Sequence, residues 1–241
     1  MRIPIFYIPK TRFKKFLFIE KKYKCGKEII PLGCDCHPAY ALQKLNIRNK
    51  SLPFDWLNTD SIRGLEFVSE NLKNDFIDFL SDLYINSRGH IVSEKYPYAE
   101  FMHEKNLIVL KSDKDKFLRR IDRLKSLLNN EIYFIYNVAS DSLGSENAVE
   151  EFYNSVLEFN AQLKNTQILC IYIRYDESLK ENESHCQKLV DSLASFSKIN
   201  ITNYVREKNK EGIWGNEKHY PALFRSLGIK IHLTFPKIYL K

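Results

Sequence analysis

The run Leu32-Gly33-Cys34-Asp35-Cys36-His37 puts two thiols, a carboxylate and an imidazole in four consecutive positions. If Cys36 stands at the start of a helix, free backbone N–H groups and the helix dipole favour its thiolate. A thiolate there, with an imidazole in reach, is what an activated cysteine nucleophile needs. Gly33 lets the chain bend through positive φ or approach a ligand closely. The competing reading makes Cys36 a partly buried small residue at a tight turn. Cys34, Cys36 and His37 also suggest a metal, but the Cys-x-Cys-His spacing lacks the second ligand pair of structural zinc, and no metal site is expected. A Cys34–Cys36 disulfide is strained at that separation.

Downstream, Ser51-Leu52-Pro53-Phe54-Asp55-Trp56 holds an acid between two large aromatics. Asp55 is therefore expected to be partly buried and to need a partner: a histidine, a helix start or Arg48. Phe54 and Trp56 read as core residues. Leu32-Gly33-x-x-Cys36-x-x-Ala39-x-x-Leu42 followed by Ser51-x-Pro53-Phe54-Asp55-Trp56 resembles a largely bacterial family of predicted papain-like cysteine peptidases. Asp75–Phe79, Phe101-Met102-His103-Glu104, the Arg-rich stretch 116–124 and the segment Ile132–Asn137 continue the resemblance, which spans roughly residues 28–137. It implies a Cys–His pair in which Cys36 is the nucleophile, His103 the general base, and Asp55 or Glu104 the group that orients the imidazole. Three positions depart from the family pattern: Cys34 where Ser is frequent, Glu104 where Asp is usual, and Asn137 where Arg is common.

Other groups compete for a role. Asn216-x-x-His219 resembles the late Asp-x-x-His of SGNH-type hydrolases, with Asn216 in place of the acid; it makes His219 a rival base, or else an exposed helix-start histidine. Lys116, Arg119, Arg120 and Arg123 share one helical face, which fits a phosphate or sugar-nucleotide site or a solvated basic stripe. No Walker loop, GxGxxG fingerprint or HExxH motif is present, so no cofactor is expected. The basic residues do not interleave with aromatics in an RNA-binding signature.

The elements that position these groups follow from hydrophobic periodicity. A strand at 28–32 leads into a helix over 36–45, with Pro38 in its first turn. Helices are expected at 61–71, 75–80, 113–128 (Asp113 as N-cap), 145–163 (Ser145 as cap), 182–196 and 217–227. Strands are expected at 131–138, 167–174, 199–205 and 229–233, with short strands and loops over 83–102. Alternation of helices with near-continuous apolar strands predicts α/β architecture: a three-layer, doubly wound, mostly parallel sheet with a helical or irregular insertion near residues 46–102. In such sheets ligands bind at the carboxyl ends of the strands, where Cys36 falls. A papain-like fold, with a helical half and an antiparallel β half, does not match this alternation, so the resemblance bears on the Cys/His pair and the periodicity bears on the fold.

Composition sets wider bounds. The 241 residues are 44% hydrophobic with 16 Phe and 14 Tyr, enough for one large core. Residues 1–26 read as a basic N-terminal arm and 27–241 as a single α/β domain. The net charge of +7 permits an anionic partner, and the basic, aromatic arm permits weak peripheral membrane contact. Five irregularly spaced cysteines make a poor disulfide framework and fit a reducing cytoplasm. No run has the length of a transmembrane helix. The leading expectation is a cysteine-dependent hydrolase or acyl transferase acting on an acyl or peptide substrate. The alternatives are a transferase or binding protein for a nucleotide-sugar or polysaccharide, with Cys36 structural, and a non-enzymatic interaction module.

Overall fold

The computed structural model describes residues 1–177, 182–207 and 212–241. In chain order these form β1 (Arg2–Tyr7), β2 (Lys14–Cys25), β3 (Glu28–Pro31), α1 (His37–Lys44), β4 (Asn58–Thr59), α2 (Gly64–Lys73), β5 (Leu83–Ile85), β6 (Ile91–Ser93), β7 (Ala99–Glu100), α3 (Lys111–Leu127), β8 (Ile132–Ala139), α4 (Glu146–Gln162), β9 (Gln167–Asp176), α5 (Glu183–Leu193), β10 (Ile199–Arg206), α6 (Tyr220–Ser226) and β11 (Ile231–Leu240).

Every residue of β8 is buried, as a strand covered on both faces requires. It lies inside a four-stranded parallel sheet of order β10-β9-β8-β3, in the register Ile30 to Phe134 and Phe134 to Leu169. Side chains alternate between two buried clusters. Phe134, Tyr136, Leu169, Ile171 and Ile173 join one cluster with Phe117 of α3, Phe152 of α4 and Leu189 of α5. Tyr133, Ile135, Cys170 and Tyr172 join the other with Leu42 of α1 and Leu223 and Phe224 of α6. The chain is thus α/β with a parallel sheet, as its alternating pattern predicts. The strand order runs in one direction, however, and lacks the reversal that a doubly wound sheet has.

The last strand corrects a second expectation. It starts at Ile231 rather than 229 and leaves the parallel sheet to pair antiparallel with β2, which also pairs with β1. Periodicity shows that a strand exists, but not which neighbour offers it hydrogen bonds. Residues 75–80 turn rather than form a helix, because Asp75 and Phe76 take left-handed φ of 58° and 66°. Helix α3 starts two residues before Asp113, with Leu110 at its cap position. Ser145 does cap α4, its hydroxyl accepting from the Ala148 N–H at 3.2 Å. No helix of the described residues is long and apolar enough to cross a membrane.

Residues 46–102 form the expected insertion, built from α2 and the two-stranded ladders β4–β7 and β5–β6. Its centre is aromatic. Phe54 lies edge-on to Phe67 and Phe79 at 5.9 and 5.8 Å and stacks with Phe76 at 5.7 Å, and Phe79 and Phe101 reach Phe117 of α3. Phe54 therefore organises the aromatic centre through which Phe79 and Phe101 fasten the insertion to the main body. Phe54→Ala is expected to lower the unfolding free energy by about 3–5 kcal/mol in urea titration. A loss within about 1 kcal/mol, the range of tolerated repacking, would show that the insertion does not hang on this side chain.

Candidate active site

The last ladder bond of β3 runs from the Leu32 N–H to the Ile135 carbonyl at 2.9 Å. Beyond it the chain turns through two left-handed residues, Gly33 at φ +99° and Cys34 at +67°. Left-handed φ suits glycine and costs a β-carbon residue energy, so neighbours must hold Cys34 there. Its carbonyl accepts from the Thr59 N–H at 2.8 Å, and its sulfur lies 3.3 Å from the Ser61 hydroxyl. Ser61 in turn accepts from the Ala139 N–H at the end of β8, 2.9 Å away. The turn is thereby bolted both to the insertion and to the central strand.

Cys36 follows at the N-cap position of α1, with Pro38 in the first turn. Its sulfur is 3.5 Å from Nε2 of His103, a residue 67 positions away. His103 follows β7, held by the Phe101 N–H to Ile91 carbonyl bond of 2.8 Å and the Glu104 N–H to Phe101 carbonyl bond of 3.1 Å. The Trp56 ring meets the imidazole edge to face at 6.2 Å, so Trp56 lies at the site while Phe54 lies in the core.

The electrostatics differ from the expectation of a cheap thiolate. Burial, followed by the neighbouring Asp35 carboxylate, pushes the Cys36 thiol up to about 11. Both effects favour the neutral thiol over the thiolate that the start of α1 is expected to stabilise. Asp35 is fixed by two bonds: Oδ1 accepts from the His37 N–H at 2.8 Å, and Oδ2 pairs with Arg174 at the end of β9. Arg206 at the end of β10 grips Asp176 through two bonds of 2.7 Å. Charged side chains therefore line the carboxyl ends of the strands beside Cys36.

His37 belongs to a different set. Its Nε2 lies 3.2 Å from the Trp214 carbonyl and must donate there, so Nδ1 accepts from the Tyr172 hydroxyl at 2.6 Å. Burial first, together with the Arg174 and Arg206 charges, lowers it to about 4, so it is neutral at pH 7. Tyr40 stacks on Trp214 at 4.0 Å and completes this cluster.

The two expected orienting acids are engaged elsewhere. Asp55 is buried, pairs with Arg48 and accepts from the Leu52 N–H at 2.9 Å. Burial raises its pKa and the Arg48 charge opposes that rise. Glu104 pairs with Lys116 and Arg120 of α3. Neither carboxylate bonds the His103 ring among the described contacts: Asp55 takes Arg48, one of the partners its sequence context offers, and Glu104 takes the cations of α3, which its own segment does not reveal. The basic face of α3 is largely consumed in the same way, since Arg123 donates to the Ser51 carbonyl and Arg119 alone of the three arginines stands exposed without a described partner. Asn216 caps the turn Glu217–His219 by accepting from the Lys218 N–H at 3.1 Å, and no described contact joins His219 to Cys36. Cys34, Cys36 and His37 diverge to Ser61, His103 and Tyr172, and no group of three or more potential metal ligands exists among the described residues.

Sequence reading missed Asp35, Arg174 and Trp56 as site residues. Arg174 and Asp176 carry a signal, being charges that close an apolar strand, but Asp35, the partner of Arg174 that lies 139 positions upstream, is invisible locally.

Residues 27–114 match the profile of a family described as "Putative papain-like cysteine peptidase". The match holds Cys36, Asp55, His103 and Glu104 and ends before the Arg-rich face of α3. An uncharacterized protein, R408, of Acanthamoeba polyphaga mimivirus is 28% identical over 214 residues, covering 77% of this chain and 91% of that protein. No solved structure matches the chain.

A raised thiol has a kinetic signature, because the thiolate alone is alkylated. Iodoacetamide labelling of Cys36, followed by peptide mass spectrometry, is expected to keep rising past pH 9 toward a midpoint at about 11. Asp35→Asn removes the adjacent negative charge and should move the midpoint down. A wild-type midpoint below 9, or one that Asp35→Asn leaves in place, would contradict this account of the site.

Proposed function

We propose that this protein is a cysteine-dependent hydrolase in which Cys36 attacks an acyl carbon and His103 takes its proton. The observation that carries the reading is the 3.5 Å approach of Cys36 Sγ to His103 Nε2, made by two residues from separate parts of the fold. The family match over residues 27–114 supports it independently.

The raised thiol selects the order of events. The sulfur is held protonated in the resting site. As Sγ bonds to the acyl carbon, its proton passes to Nε2 and the carbonyl π electrons move onto oxygen. The N–H groups of Asp35 and Cys36 donate to no acceptor among the described residues, whereas that of His37 is taken by Asp35. The first two are therefore the donors for the oxyanion. When the tetrahedral species collapses, the imidazolium returns its proton to the leaving amine or alkoxide. Water then repeats the sequence on the thioester and restores the thiol. The acceptor in this second half separates hydrolysis from acyl transfer, and water is the reading adopted here. Trp56 packs against the imidazole and limits its rotation, a task that a carboxylate performs in other Cys–His sites.

A p-nitrophenyl ester tests the first half-reaction. Wild-type protein should release a burst of nitrophenolate and carry the acyl group on Cys36 by mass spectrometry. Cys36→Ala should abolish the burst, and His103→Gln should slow it about 10²–10⁴-fold, the usual value of general-base assistance. Acylation of Cys25 in preference to Cys36, or a His103→Gln variant as fast as wild type, would refute the proposal.

A further inference from the structure

The sheet β1-β2-β11 carries a surface that the proposed chemistry does not use. Strand register defines one of its faces. Ile3 stands opposite Leu17, and Leu17 opposite Leu240. Met1 and Ile19 exchange both backbone bonds, at 2.6 and 2.9 Å, and Ile19 stands opposite Ile238. Alternation places Met1, Ile3, Leu17, Ile19, Ile238 and Leu240 side by side on the same face. The four on the edge strands are exposed, from 37% for Ile3 to 74% for Met1. Lys15 and Lys21 flank Leu17 and Ile19 on the same side of β2. Past the end of β1 the chain turns through Phe13, 70% exposed between Arg12 and Lys14.

The opposite face has its own partners. The Arg2 guanidinium lies 3.6 Å from the centre of the Phe16 ring, and Phe18 stacks on Tyr239 at 5.3 Å. The Tyr239 hydroxyl donates to Glu20, and Lys237 donates to Asn46 beyond the end of α1.

Charge is concentrated in the same sheet. Residues 1–25 and 230–241 hold eleven lysines and arginines and one acid, Glu20. The whole chain is +7, so residues 26–229 are net acidic. The cationic character of the protein therefore resides in the element that exposes its aliphatic face.

We propose that this face is a docking surface for an anionic phospholipid bilayer. Aliphatic side chains gain by entering the acyl boundary while lysines meet the headgroup phosphates. A contiguous exposed apolar patch bordered by cations marks an interaction surface rather than a face built for water. A second copy of the chain would bring eleven cations against eleven. Nucleic acid would meet aliphatic side chains instead of the stacking rings that single strands use. The bilayer alone satisfies both parts of the surface, and docking would hold the Cys36 site at a membrane.

Co-sedimentation of the full chain with vesicles tests this. Binding is expected to vesicles of phosphatidylcholine mixed with phosphatidylglycerol, to be weak on phosphatidylcholine alone, and to fall with added salt. The double variant Lys15→Glu, Lys21→Glu should lower partitioning about 25-fold or more, at about fivefold per lost cation. Ile238→Ser leaves the charge unchanged and should lower it about tenfold through lost apolar burial. Leu240→Ser, at the end of β11, gives a second apolar variant if Ile238→Ser melts early. Equal binding to both vesicle types, no binding to anionic vesicles at low salt, or variants that bind as wild type would overturn the proposal. So would binding to an oligonucleotide, or a stable dimer in solution, without any binding to vesicles.

Discussion

The left-handed turn at Gly33 and Cys34 is the constraint on which the site depends. A parallel strand normally passes into its helix with the chain continuing over one face of the sheet. Here two consecutive residues of positive φ redirect it, so that α1 packs with α6 while the three later crossover helices share the other cluster. Cys36 is left at the rim between the sheet and the insertion. The turn is costly by itself, and four groups repay it: the Leu32 ladder bond, the Thr59 N–H, the Ser61 hydroxyl and the Arg174 guanidinium on Asp35. They come from different elements, so the thiol position is over-determined by the whole fold and not by its own segment.

Burial gives and takes at the same point. The enclosure that sets Cys36 Sγ 3.5 Å from His103 Nε2 also makes a free thiolate expensive. The same enclosure neutralises His37, which acts as a structural hydrogen-bond hub between Tyr172 and Trp214. Two histidines near one turn thus have different partners, His103 facing the Cys36 sulfur and His37 facing Tyr172 and Trp214.

The buried pair Arg48–Asp55 illustrates how a motif can be specific while standing off the Cys36–His103 pair. Asp55 ties Arg48 and the Leu52 N–H together, and Phe54 anchors the aromatic centre of the insertion. These contacts present Trp56 to His103. The Pro-Phe-Asp-Trp segment therefore serves the site as a bracket, and its acid is retained by a local cation that compensates its desolvation.

Sequence alone determined what depends on local periodicity and backbone chemistry. Periodicity gives strands at 131–138, 167–174 and 199–205, and the structure has them as β8, β9 and β10, the last only partly buried at the edge of its sheet; Gly33 ends the first of the parallel strands, and Ser145 caps the helix that follows β8. Motif resemblance singles out Cys36 and His103, and the fold brings these two side chains within 3.5 Å of each other. Tertiary structure alone decided the partners. Sequence offers Arg48 as one of three partners for Asp55, and folding selected it; for Glu104 it offers none, and folding supplied Lys116 with Arg120. Strand β11 had two sheets open to it and joined the antiparallel one, where β2 offered an unpaired edge. Pairings of this kind depend on distances across the fold, and a residue's neighbours in sequence carry no record of them.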